Sequence, residues 1–323
     1  MRFVHVMRFM RFMPFMQGMR PSIRWMGWGL ACAGAFFSYP TAFCADSTCV
    51  LRVESEIFVG DNKQPVARSL TLFRNGIAWD FLEQPAGIAA GDNAKDANRS
   101  DTLSSNPSDE PARTDSSQMV LQEIVLHDPA RDRVVIIDPK RNVKTQIEAI
   151  RLERLSVSLA SWARKADDRL VRWAAGPDFG DGIQEKGSSL VLVGPRVRYA
   201  VDFAAAPSGD TSAIYSRFAD TAILLKALLH PGGLPPFPRL AINRRVSAAG
   251  GIPTTVTLEI DLKSALLGGH SDVVRSVHKA HPQLLAGDLD RIEEAESQVA
   301  VAEPVELAAF VAPSSGASAK QND

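Results

Sequence analysis

The chain has 323 residues, 45% of them hydrophobic and 23% charged, enough for one large domain with a substantial core. Its formal net charge of -1 hides an asymmetry: residues 1–45 hold five arginines and no acid, so that 31 of the 36 basic side chains remain against 37 acidic ones beyond them. A mildly acidic body is a poor polyanion binder, and no nucleic-acid partner is expected.

The arginines precede an uncharged run at 25–37 and a small-residue exit around Ala42 and Ala45. That order of basic, apolar and small residues is the pattern of a signal peptide, so 1–45 is expected to be a leader and the rest to work in the periplasm or outside the cell. The apolar run is shorter than the roughly 20 residues of a spanning helix, and membrane contact is expected only through this segment. Cys32 and Cys44 lack the preceding residues of a lipidated cysteine. With Cys49 they form no disulfide framework, so the fold must stand on its core.

Beyond the leader, alternation predicts strands over 50–59, 66–73 and 77–82, the second and third joined by Asn75-Gly76, a strong hairpin signal. Residues 91–118 are rich in Asp, Asn, Ser, Ala and Pro and nearly empty of large apolar side chains. This stretch is read as a disordered insertion within the sheet, leaving the flanking strands as neighbours. Strands resume over 119–127, 133–138 and 143–147, separated by turns at Asp128-Pro129 and Asp138-Pro139. Leu152, Leu155, Leu159 and Trp162 mark the inward stripe of a helix over 148–165. A hairpin over 189–203 turns at Gly194-Pro195. A helix over 210–229, with Asp210 at its start, stops at Pro231-Gly232.

Residues 234–239 read as a rigid, Pro-rich connector. A strand over 253–262 alternates Thr255, Thr257, Glu259 and Asp261 with Val256, Leu258, Ile260 and Leu262, and 271–279 returns beside it. A last helix is expected over 284–299, using Leu285, Leu289 and Ile292. Residues 46–300 therefore form one α+β domain, and 301–323 are expected to be a flexible tail.

Motifs for chemistry are sparse. There is no G-x-S-x-G elbow, no phosphate loop and no CxxC pair, so no catalytic residue, cofactor or metal is assigned. His127 and His230 read as surface residues. His278 and His281, three apart on a strand, would point to opposite faces and make a poor metal pair even with His270. Arg239, Arg244 and Arg245 read as part of a basic patch. Ile77, Trp79 and Phe81 share one strand face, which either fills a core or lines an apolar cavity.

The steps Phe73-Arg74-Asn75-Gly76-Ile77-Ala78-Trp79-Asp80-Phe81, then Gln84-Pro85, resemble part of the periplasmic lipoprotein-carrier (LolA-like) family. The hairpins at Asp128-Pro129 and Asp138-Pro139, and the strand opening Pro253-Thr254-Thr255-Val256, are similar to its later steps. The resemblance covers about a third of the chain. It implies a strongly curved, mostly antiparallel sheet, like an unclosed barrel, with helices packed across its concave side. It also implies a non-enzymatic envelope protein holding a lipid-like ligand or a lipidated partner. Ile77, Trp79 and Phe81 are the expected ligand surface; a solid interaction module and a hydrolase are the alternatives.

Overall fold

A computed structural model describes residues 49–86, 118–176, 179, 182–230, 233–261 and 271–312. The expected leader, most of the 91–118 insertion and the last eleven residues lie outside them. Twelve strands form one sheet: β1 (Leu51–Val59), β2 (Ala67–Arg74), β3 (Ile77–Pro85), β4 (Met119–Asp128), β5 (Arg133–Asp138), β6 (Val143–Glu148), β7 (Ile183–Lys186), β8 (Ser189–Gly194), β9 (Val197–Ala205), β10 (Gly251–Asp261), β11 (Ser271–His281) and β12 (Glu303–Pro304). Their order is β12-β6-β5-β4-β3-β2-β1-β11-β10-β9-β8-β7, curved but not closed into a barrel, and antiparallel except where β12 joins β6. Among the described residues the six α-helices are α1 (Ala149–Arg164), α2 (Arg169–Ala174), α3 (Gly209–Leu229), α4 (Phe237–Ala248), α5 (Ala286–Val301) and α6 (Leu307–Val311).

The turns explain the meander. Asn75 and Gly76 both take positive φ, 53° and 76°, which matches the twist of a two-residue hairpin and suits these two residue types. The carboxylates of Asp128 and Asp138 accept the backbone N–H of Arg131 and Arg141, fixing the next two reversals. Across the long insertion β3 and β4 pair directly, Pro85 opposite Met119, and Ala86 N–H donates to the Gln118 carbonyl at 2.8 Å. The insertion therefore leaves the sheet unbroken.

Cross-strand partners share a face, so the register sorts every side chain. Val53, Ser55 and Ile57 of β1 lie with Ala280, His278 and Ser276 of β11 and with Thr71, Ser69 and Ala67 of β2. The same face continues through Val256, Val201 and Leu190 on one side and Asp80, Val125, Ile136 and Thr145 on the other. We call it the inner face. Helices α1, α3 and α6 cover its β1–β6 half, packing Leu152, Phe218, Leu225 and Phe310 on Leu51, Phe73 and Ile136. Helices α2 and α4 cover its β8–β10 half, with Ile242 and Val246 on Leu192 and Val201.

Helix α5 departs from the expected one-sided arrangement. It lies on the opposite, outer face, where Ile292 and Ala295 meet Leu72, Trp79, Phe81, Ile124 and Val135. Several local expectations also change. Helix α4 starts inside the Pro-rich connector, because Pro236 at its N-cap and Pro238 in its first turn need no helical N–H there. Helix α3 is capped by Ser208, whose hydroxyl accepts from Thr211 N–H at 3.2 Å, and not by Asp210. Helix α1 turns Leu152, Ala160 and Ala163 inward and leaves Trp162 exposed, since the small alanines permit close approach.

The expected tail from 301 is structured to 312. Glu303 and Pro304 extend the sheet edge, Phe310 is buried, and Arg141 reaches across to donate to the Phe310 carbonyl at 2.6 Å. Helix α5 is tied to the sheet by a half-enclosed ion pair. Arg52 Nε lies 3.0 Å from Asp288 Oδ2, and the same carboxylate accepts Leu285 N–H at 2.7 Å, capping the helix. Replacing Asp288 by alanine removes the cap and leaves Arg52 with only Glu54. We expect Asp288→Ala to cost about 3 kcal/mol in urea unfolding and to speed hydrogen exchange in α5 first; a loss below about 1 kcal/mol contradicts this role.

Candidate functional site

The residues singled out by sequence, Ile77, Trp79 and Phe81, do share a face, but it is the outer one, beneath α5. Trp79 and Phe81 are 2% and 4% exposed. A pocket of about 150 Å³ opens beside Phe81, between Leu121 and Ile124 of β4 and Arg291, Ala295 and Gln298 of α5. That is about half the lower bound of ~300 Å³ for ligand clefts. Trp79 fills the core there, its indole N–H buried without an acceptor, and it does not line the pocket. These residues are better explained as the packing that holds α5 to the sheet.

The inner face carries the less expected arrangement. Period-2 alternation should fill a roofed face with apolar residues, yet a polar stripe crosses four adjacent strands at its centre. On β3, Asp80 accepts from Thr71 Oγ1 at 2.7 Å and from the Ser69 hydroxyl, both on β2. On β1 and β11, Ser55 Oγ lies 2.7 Å from His278 Nδ1, and Ser276 Oγ lies 2.9 Å from its Nε2. A neutral imidazole has one donor and one acceptor nitrogen, so the two serines satisfy the ring completely. Burial pushes His278 down to about 3, with the nearby Arg239 charge adding to the effect. A hydroxyl against an imidazole is the start of a nucleophile pair. Here the second ring nitrogen meets another hydroxyl, where an orienting acid would be needed.

Above this stripe, α3 and α4 bring down a second polar layer. Asn243 Nδ2 donates to Asp220 Oδ1 at 2.8 Å, joining the two helices. Burial raises the Asp220 carboxyl, with the Asn243 bond and the charges of Arg244 and Arg239 pulling the other way. Tyr199 of β9 and Tyr215 of α3 are 6% and 8% exposed, and burial raises both phenols, Tyr199 to about 12. Arg239 joins them from the first turn of α4. Its Nη1 is out of contact with solvent and has no hydrogen-bond partner. The sequence placed Arg239 in a surface patch with Arg244 and Arg245; the fold separates it from them, because its position on α4 faces the sheet.

His127 is likewise buried, not superficial. It is 5% exposed, its ring 6.2 Å from that of Phe218, and burial with the Arg217 charge lowers it to about 4 against the pull of Asp128. His230 is exposed as expected, and His278 and His281 do point to opposite faces of β11. His270 lies outside the described residues. No group of three metal-binding side chains occurs among the described residues.

Toward the end of β1 where Ile57 and Val59 lie, the inner face changes character. Ile57, Val59, Val274, Leu258 and Ile260 are only half-buried, and Leu258 and Ile260 pack in one cluster with Leu234 and Phe237 beside α4. The site is thus an apolar mouth leading to a closed, polar floor. No family model matches the chain, and no curated protein is similar to it in sequence.

The two buried histidines set a pH response. Each is harder to protonate in the folded chain than in the unfolded one, so the unfolded state binds more protons below about pH 6.5. Stability is therefore complete near neutrality and falls as pH drops from about 6.5 towards 4 and 3. For His127 the loss amounts to roughly 3 kcal/mol at the acid end. Thermal melts should show Tm falling across this window, and His127→Gln should flatten the fall; an unchanged slope contradicts the assignment.

Proposed function

We propose that this is an exported, non-enzymatic envelope protein that holds an apolar, lipid-like ligand, or the lipid-bearing part of a partner, between its helical layer and the inner face of its sheet. The observation that carries this reading is the apolar mouth. Leu258, Ile260, Val274 and Ile57 stay partly open although the rest of the same face is tightly roofed. Half-exposed aliphatic side chains in a row cost water contact without contributing core, and they are suited to an alkyl chain. The resemblance to the periplasmic lipoprotein carriers, and the leader pattern at 1–45, support the same reading. In this reading the ligand surface is Leu258 and its neighbours on the inner face, since Trp79 and Phe81 are buried beneath α5.

A second reading, a packed interaction module with no ligand, is favoured by the small volume of the pocket beside Phe81. The two part on one experiment. Native mass spectrometry of protein taken from its own envelope should show a co-purifying lipid, and delipidated protein should take up a sixteen-carbon amphiphile. Leu258→Glu should weaken that uptake by at least about tenfold, since it puts a charge among apolar side chains. A clean apo mass with no uptake at all decides for the packed module.

A further inference from the structure

Two buried polar atoms between α3, α4 and the inner face lack a partner among the described residues, Asn243 Oδ1 and Arg239 Nη1, and only the second carries charge. The acids of this face are engaged: Asp80 accepts two hydroxyls and Asp220 accepts from Asn243. Arg239 forms no hydrogen bond and no ion pair with any described residue, and its Nη1 is sealed from solvent. Arg239 is half-buried, and a guanidinium that turns one N–H edge into a dry site without a direct partner loses hydration there, which persists only where something offsets it. Its surroundings are rich in donors. The hydroxyls of Tyr199 and Tyr215 have no partner among the described residues, and both side chains lie in the neighbourhood of Arg239, as do Asp220 and His278. The one acid in that group, Asp220, is engaged by Asn243 and makes no direct ion pair with Arg239.

The register then provides a path for a chain. Tyr199 lies directly across from Leu258, Leu258 from Val274, and Val274 from Val59. This is one row of side chains on the inner face, apolar after its first member. It runs over three interstrand steps, about 14 Å.

We infer that Arg239, with the Tyr199 and Tyr215 hydroxyls, receives a carboxylate at the end of a single apolar chain laid along Leu258, Val274 and Val59. The inference rests on the lipid-binding reading above and narrows it: the ligand is a fatty-acid-like amphiphile, not a neutral lipid. A single guanidinium matches one negative charge, and two phenol donors complete a planar carboxylate's acceptors. A phosphate monoester, with up to two charges, would leave one uncompensated in the same dry site.

The test titrates the delipidated full chain with palmitate, hexadecanol and hexadecyl phosphate, which share one chain length. Palmitate should bind at least about tenfold tighter than hexadecanol, the worth of a charge-assisted bond. Arg239→Met should abolish that preference while leaving hexadecanol binding in place, and Arg239→Lys should restore part of it. Tyr199→Phe, which keeps the ring packing, should cost palmitate a few-fold and hexadecanol nothing, and it covers the case in which Arg239→Met fails to fold. Equal binding of palmitate and hexadecanol overturns the headgroup assignment while the lipid reading stands. Tighter binding of hexadecyl phosphate overturns the choice of carboxylate. Failure of all three to bind overturns both readings.

Discussion

The structure depends on covering one face of a single very wide sheet. Twelve strands in one curved layer expose two broad surfaces, and an open sheet of this width is stable only if at least one is buried. The inner face is roofed nearly from end to end by α1, α2, α3, α4 and α6, and α3 is the keel of that roof. Its first turn is fixed by the Ser208 cap and by Ser212, whose hydroxyl donates to the Gly251 carbonyl at 2.7 Å. Its middle packs Phe218 edge-on against Phe73, with ring centres 5.7 Å apart. Helix α5 covers part of the other face, and the outer surface of β9 and β10 keeps Arg198 and Glu259 paired at 3.0 Å in solvent.

Against that background the polar centre of the inner face is costly. Ser55, Thr71, Asp80 and His278 occupy positions where apolar residues would add core. Each is satisfied by a neighbour on the sheet, which limits the cost to little more than the lost burial. Arg239 is the charged exception beside them, and that asymmetry is why the headgroup assignment turns on it. A fully satisfied polar network specifies a fold; one unsatisfied cation beside it asks for a partner.

The strands were legible because their signals are local. Alternation in β1, β10 and β11, the Asn75-Gly76 hairpin and the Asp-Pro turns all act within a few residues. The pairing of β3 with β4 followed from treating the polar insertion as an interruption of the sheet. Helix α2 and strand β7 carry too few residues for any period to register. Helix α4 was hidden because prolines open it and its buried positions include Asn243, so it reads as polar. The candidate site was the least legible part. Trp79 and Phe81 announce a shared face, but which helix covers that face is a long-range fact. Arg239 is indistinguishable from Arg244 and Arg245 until the helix that carries it is set against the sheet.

The most direct measurement is the ionisation of the bound headgroup itself. Palmitate labelled with carbon-13 at its carboxyl can be followed by NMR on the full chain as the pH is lowered. A carboxylate held against the Arg239 guanidinium should stay ionised one to three pH units, roughly, below its ordinary range, and should lose that protection in Arg239→Met. A bound carboxyl that titrates in the ordinary range, or one indifferent to residue 239, would contradict the account.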